Sequence, residues 1–467
     1  MTRTLILIGA VLLAGCAGPA TRQAVTPVSP GDLGLVGAPA PAIGGQWWRS
    51  FGDPQLDRLV LDATAGNPNL SAALARVAQA QAVLGSRRAE EGLNATLDAQ
   101  VQGARLSGRY TIPPPYRGTV QTVGLVGANL SYNLDLFGRQ RAAIEGARAS
   151  TRAAALDLEA ARLAIAGSVV ETYLDLARAE TQGAIARRTI AAREGSLRLV
   201  RAQIRNRLAS GVQETAAQTL LDQARGELIA AQGTRALAAD ALAALAGRGP
   251  DYAAAIGPAT ARLDAGLPFA GAVPADLLGR RADIAAALAR IDAAQAGKQV
   301  ARRAFYPNVN LGALVGLQAI GLGNLLSLDA GQVGVGPAIS LPLFDNGRRR
   351  ADLAGATAAV DLTVASYNQA VVGAVREAAD AIALTGNLRA QQASAAAVVR
   401  GFAETGRLND VRVRAGLDSK LSLVDNDVRL LDAQLSQANL ATEAARARVQ
   451  LVLALGGGWT GAQGTQP

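Results

Sequence analysis

Two periodicities divide the chain. In the first, polar and apolar residues alternate. Thr96, Asp98, Gln100 and Gln102 interleave with Leu97, Ala99, Val101 and Gly103, and Asn129, Ser131, Asn133 and Asp135 with Leu130, Tyr132 and Leu134. The alternation returns at Asn308 and Asn310 against Val309, Leu311 and Ala313. It appears a fourth time at Val333, Val335, Ile339 and Leu341 against Gly334, Gly336, Ala338 and Ser340. A period of two predicts strands with one apolar and one polar face. The second periodicity is helical. From Arg139 to about Ser210, and from Arg348 to about Ala415, there is no proline and apolar residues recur at helical spacing. About seventy residues rising 1.5 Å each would span about 100 Å if unbroken, longer than a compact core. Small Ala residues at the seams suit close helix packing of the coiled-coil kind. The alternative is an ordinary soluble bundle with helices interrupted at Gly167, Gly183 and Gly195.

The two patterns occur twice in the same order. NLSYNLDLFGRQR (129–141) is matched by AISLPLFDNGRRR (338–350), and NPNLSAALARVAQAQA (67–82) by RADIAAALARIDAAQA (281–296). Downstream, RLASGV near Gly211 pairs with VRAGLD near Gly416, and LAALAG with LVLALGG. This order predicts an internal tandem repeat. The expected organisation is 1–15 signal peptide, 16–66 lipidated N-terminal segment, 67–247 first repeat, 248–274 linker, 275–457 second repeat and 458–467 tail.

Four two-faced strands leave two open edges, which lipid does not tolerate because every backbone donor and acceptor there needs an internal partner. Closure removes edges, but single-chain outer-membrane barrels begin at about eight strands. Several copies must therefore share one barrel; three copies with twelve strands is the smallest arrangement with a lumen, and the pattern alone also permits two or four. Asn129, Ser131, Asn133 and Asp135 would line water, and Leu130, Tyr132 and Leu134 would face lipid. The alternative is a sheet packed on its own helices.

The N-terminus places the chain outside the cytoplasm. Arg3 precedes the uncharged run Leu5–Leu13, a secretory pattern too short to span a membrane. LAGC (13–16) resembles a lipobox, so Cys16 is the expected site of acylation, and Ala17 rather than aspartate favours the outer membrane. Cys16 is the only cysteine and there is no histidine, which leaves no disulfide and removes Ser-His-Asp, Cys-His and His-zinc chemistry. Hydrophobic residues make up 50% of the chain but aromatics only 3%, so the apolar content is mainly Ala, Leu and Val. The net charge of +9 comes from scattered arginines, Lys298 and Lys420 being the only lysines, and not from the basic blocks of a nucleic-acid surface. No phosphate-binding loop is present; DAAQAGKQ around Lys298 lacks the first glycine and the Ser/Thr.

The ordered series WWRSFGDPQLDRLV (47–60), NPNL (67–70), LDLFGR (134–139), PADLLGRRADI (274–284), AFYPNVNLGALVG (304–316), ISLPLFDNGRRR (339–350) and LALGGGW (453–459) resembles the outer-membrane efflux factors, the TolC-like family of the NodT or OprM lipoprotein type. Ala282 departs from the family's proline in RRPDI. The resemblance implies an α+β membrane protein, a homotrimer whose twelve-stranded β-barrel, four strands per protomer, continues into a long α-helical barrel in the periplasm. Its partners would be a periplasmic adaptor (membrane fusion protein), an inner-membrane transporter of the RND type and outer-membrane lipid, with no nucleic acid. No catalytic residue, metal or cofactor is expected beyond the lipid on Cys16. Family closure at the periplasmic tip places Leu421 and Asp425 at the gate, while Val428 stands where relatives often carry arginine. The turns with Gly211 and Gly416, read as helix terminators, are adaptor-contact candidates. Trp47, Trp48 and Trp459 are expected to pack where the chain ends meet, with plain burial in a core as the preferred account, and Phe137, Phe305, Tyr306 and Phe344 to form an aromatic girdle or, alternatively, core. The function implied is a passive export duct; a type I secretion role, a structural coiled-coil lipoprotein and a carboxylate enzyme are the alternatives.

Overall fold

The computed structural model describes residues 24–29, 31–35, 43–109, 111–112, 114–264, 273–274 and 276–459. Cys16 and the signal segment lie outside them. The described elements are α1 (Pro54–Gly66), α2 (Pro68–Ala89), β1 (Asn94–Arg105), β2 (Val120–Asn133), α3 (Arg139–Arg205), α4 (Gly211–Leu245), a short α5 (Pro250–Ala254), α6 (Ala282–Arg303), β3 (Asn308–Ile320), β4 (Gly331–Ser340), α7 (Arg348–Arg414) and α8 (Lys420–Ala454). The interruptions at Gly167, Gly183 and Gly195 that the alternative reading required do not occur: α3 runs through all three without a break. Paired helices have equal lengths, 67 residues for α3 and α7 and 35 for α4 and α8. Both pairs are offset by 209 residues (348 minus 139, and 420 minus 211).

The chain divides into two compact units. One holds residues 77–154 and 287–367 with the N-terminal residues to Pro27; the other holds 28–76, 155–286 and 368–467. In the first, the strands form an antiparallel meander in the order β1-β2-β3-β4. Among its described helical residues, Leu84, Ile144 and Ala147 are buried and packed together.

The second unit holds the large core. Phe51, Leu56, Val60, Val169, Val170, Tyr173, Leu174, Leu242, Leu277, Leu451 and Val452 are all essentially inaccessible. Ala238, Ala239, Ala243 and Ala445 fill the seams between helices. Each fully buried large aliphatic side chain contributes about 1.5–3 kcal/mol relative to exposure. Trp47 and Trp48 are buried here in edge-to-face contact at 5.9 Å, and Trp459 is half-buried. Backbone at Gly44 and Gly45 lies against Gly458, so the segment that leads into Trp47 meets the segment that follows α8.

Asp53 ties this unit together. It caps α1 by accepting from the Gln55 N–H at 2.9 Å, with Pro54 at the first helical position. The same carboxylate accepts from the Tyr173 hydroxyl at 2.6 Å and the Thr260 N–H at 2.7 Å. Burial pushes its pKa up, but these donors outweigh that and hold it below the usual carboxylate range. The hydroxyl of Tyr173 is pushed well above its ordinary value by burial and by the Asp53 carboxylate.

Candidate functional site

The register of the sheet sorts its residues into two faces, because residues directly opposite on antiparallel strands share a side. Leu97, Val101, Val126, Leu130, Leu311, Val315, Val333 and Ile339 fall on one face; Asp98, Gln100, Asn129, Ser131, Asn310, Gln318 and Gln332 fall on the other. On the second, the Asn129 amide donates to Asp98 at 2.7 Å. The larger apolar residues on that face are Leu314, directly opposite Asn129, and, toward the loops, Val123, Leu125 and Ile320. The apolar face is bare in the single chain: Val333 is 84% exposed, Leu97 75% and Ile339 71%. Among the described residues no helix is long and apolar enough to cross a membrane. The strands have 10 to 14 residues, matching the roughly 9–11 that a tilted strand needs to cross a hydrocarbon core.

The hydrogen-bond phase determines what the open edges offer. The Leu106 N–H donates to Thr119 O, so even-numbered residues of β1 bond to β2 and the odd ones, Ala95 to Gly103, aim their backbone groups outward. The Leu134 N–H donates to Val309 O, so even-numbered residues of β3 bond to β4; this leaves Val333, Val335, Pro337 and Ile339 on the other open edge. Both free edges are therefore carried by residues of the apolar face. An even strand number makes this so: the ladders alternate between faces, and a fourth ladder to β1 of another copy returns to the phase of the first strand. Pro337 stands on an edge with its missing donor outward, where proline is tolerated.

The strand pattern departs from expectation at its base. Asp135 does not line the polar face. β2 ends at Asn133, and Asp135 (φ +38°) turns to cap α3, accepting from the N–H groups of Gln140 and Arg141 at 2.9 Å each. Asp345 does the same before α7, toward Gly347 and Arg349. An aspartate a few residues ahead of a helical run was the available signal, and the strand alternation masked it. Of the four aromatics, Phe344 is 96% exposed, Phe137 stacks on Tyr306 at 5.1 Å, and Phe305 lies under the Arg349 guanidinium; Phe137, Tyr306 and Phe344 are not core residues.

The hairpin turn between α7 and α8 is built around Gly416. Its φ of +72° and the bonds from the Leu417 N–H to Arg412 O and from the Gly416 N–H to Val413 O end α7 in a Schellman motif. Ser419 then caps α8. Asp418 accepts from the Ser422 hydroxyl at 2.7 Å and pairs with Arg412 at 3.4 Å; the hydroxyl and the Ser419 N–H hold its pKa low. Gly211 differs and does not terminate a helix. The left-handed residue closing α3 is Arg207 (φ +58°), bonded in the same Schellman pattern, and Gly211 is the first residue of α4 after the cap Ser210. The two turns correspond as RLASG to GLDSK, with Arg207 facing Gly416 and Gly211 facing Lys420, four residues from the pairing that sequence similarity suggests.

Leu421 and Asp425 lie one turn apart on α8, Leu421 half-buried and Asp425 exposed. Asp425 makes no ion pair among the described residues. Just beyond them, Asn426 and Val428 are buried. The Asn426 amide donates to Phe402 O on α7 at 3.1 Å. Burial pushes the neighbouring Asp427 carboxyl up. α6 begins at Ala282, the first helical position, where the family's proline would also fit.

An antiparallel sheet with one apolar and one polar face, joined to helical hairpins of 67 and 35 residues, defines an outer-membrane channel with a long helical extension. The profile of the Outer membrane efflux protein family matches residues 59–248 and 273–457, and the chain belongs to that family. OprJ, an outer membrane protein of Pseudomonas aeruginosa, is 33% identical over 427 residues, covering 88% of this chain and 86% of OprJ. FusA, the fusaric acid resistance protein of Burkholderia cepacia, is 34% identical over 319 residues; the match covers 67% of this chain and 60% of FusA. The crystal structure of VceC from Vibrio cholerae is similar at a TM-score of 0.81 and 31% identity, covering 89% of this chain and 100% of VceC. The chain is an efflux component of the outer membrane.

Proposed function

We propose that three copies close their open edges into one twelve-stranded barrel and form a passive export duct. The carrying observation is that both edges present donors and acceptors from the same, apolar face, so joining copies keeps the apolar faces of all copies on one side of the barrel and their polar faces on the other. The helices continue the duct as a helical barrel, and the equal lengths and constant offset of the paired helices support descent from a tandem duplication. A periplasmic adaptor and an RND-type inner-membrane transporter supply the cargo, with the α3–α4 and α7–α8 turns, at Gly211 and Gly416, as contact points. Cys16 carries the lipid. Leu421 and Asp425 narrow the resting pore, since like charges gathered around an axis repel and favour cations. No cofactor takes part.

The purified chain in detergent should have the mass of three copies and insert single conducting units into planar bilayers. A stable monomer in plain buffer that forms no pores would refute this reading.

A further inference from the structure

The helix turns that abut the sheet are rich in arginine. α2 ends on Arg87 and Arg88 and α6 on Arg302 and Arg303, where cations complement the helix dipole. α3 opens on Arg139 and Arg141 and α7 on Arg348 to Arg350, with no acid in either first turn. There the cations oppose the dipole, so helix stability does not account for them.

Local acids account for only some of these charges. Arg141 lies 3.6 Å from Asp135, Arg349 lies 2.6 Å from Asp345, and Arg303 donates to the Gly138 carbonyl. Arg139, Arg302, Arg348 and Arg350 are exposed and make no ion pair among the described residues. Immediately on the sheet side stand exposed Leu136, Leu343 and Phe344 and the stacked Phe137–Tyr306 pair. From the sheet outward the order is apolar face, aromatic rings, arginines. Hydrocarbon, interface and headgroups follow one another in the same order across a leaflet.

Chain length supports the same level for the membrane surface. The Val25 N–H bonds to Asp361 on α7, 13 residues below Arg348 (361 minus 348), or about 20 Å of helix. Val25 lies nine residues after Cys16 (25 minus 16), a reach of about 30 Å when extended. A lipid on Cys16 can therefore reach the arginine level.

We propose that this arginine collar is a docking surface for the anionic phospholipid headgroups of the leaflet the sheet enters, binding their phosphates and setting the depth of the barrel. The inference rests on the membrane reading given under Proposed function. Its test is lipid counting by native mass spectrometry on the full-length channel in detergent, titrated with phosphatidylglycerol or phosphatidylcholine. The unaltered protein should retain phosphatidylglycerol preferentially, and more so at low salt. Combining Arg139→Gln, Arg302→Gln, Arg348→Gln and Arg350→Gln should weaken that preference by about fivefold per arginine removed, while the lysine versions keep it. Single Arg348→Gln and Arg350→Gln variants carry the same expectation should the combination not fold. Equal retention of both lipids by the unaltered protein, or full preference in the glutamine variants, would overturn the collar. Pores without lipid preference would overturn the collar alone, whereas absence of pores from the unaltered protein would overturn the membrane reading and the collar with it.

Discussion

Replacing Asp53 by alanine removes the acceptor for three donors at a position only 3% exposed. The cap of α1 is lost, at a cost of about 1 kcal/mol. The Thr260 N–H and the Tyr173 hydroxyl hydrogen lose their acceptor at about 1–3 kcal/mol each. The sum, about 3–7 kcal/mol, is a large part of a domain's usual stability. Tyr173→Phe removes one charge-assisted bond and should cost less, about 1.5–3 kcal/mol. Urea unfolding followed by tryptophan fluorescence reads this region directly, because Trp47 and Trp48 lie in the 3-10 turn that precedes Asp53. Because the folded pKa of Asp53 is held below its unfolded value of about 3.9, the carboxylate's contribution is complete above that value. It is lost as pH falls through the depressed folded pKa. Asp53→Asn should therefore flatten the acid limb of stability that the unaltered protein shows below about pH 4. An Asp53→Ala midpoint equivalent to less than about 0.5 kcal/mol from the unaltered protein, the range of ordinary surface substitutions, would refute the account.

Five further outcomes are expected. Gly316→Val should prevent the sheet from assembling, since a Cβ there would stand 2.5 Å from Val126 O and 2.6 Å from the Gly127 Cα; loss of heat-modifiable migration is the readout. Gly416→Ala should destabilise the α7–α8 turn by about 1 kcal/mol through its left-handed φ. Gly211→Ala, at a helix start with open space around it, should be neutral or stabilise by about 0.4–1 kcal/mol, and thermal unfolding of the two glycine variants side by side checks both expectations. Leu421→Ala and Asp425→Ala should raise bilayer current several-fold; unchanged current would remove them from the gate. Cys16→Ala should abolish incorporation of radiolabelled palmitate.

Much of this architecture is a local property of the chain. Strand faces follow from a period of two, so Asn129 and Leu130 could be assigned to opposite sides from their neighbours alone. Proline-free, Ala-rich runs with helical spacing made the 67-residue helices legible to within a few residues of their ends. The motifs from Trp47 to Trp459 carried the family because their order survives even where each is weak.

Other features depend on groups far apart in sequence. Asp53, Tyr173 and Thr260 are separated by 120 and 207 residues, and no local pattern announces that one carboxylate serves both partners. Asp135 sits in phase with a strand, yet the helix that starts four residues later takes its side chain, because the N–H groups of a helix's first turn have no partner within the helix and gain more from a carboxylate than the polar face does. Gly211 and Gly416 look alike in sequence, but a left-handed position is defined by φ, and Arg207 holds it in the first turn. The edges are the last case: alternation reveals which side chains share a face, while only the hydrogen-bond phase decides that the free backbone groups of β1 and β4 both belong to the apolar one. The sequence alone determined the elements and their faces; the tertiary structure decided how those elements are capped, tied and left open, because these depend on which distant backbone groups meet.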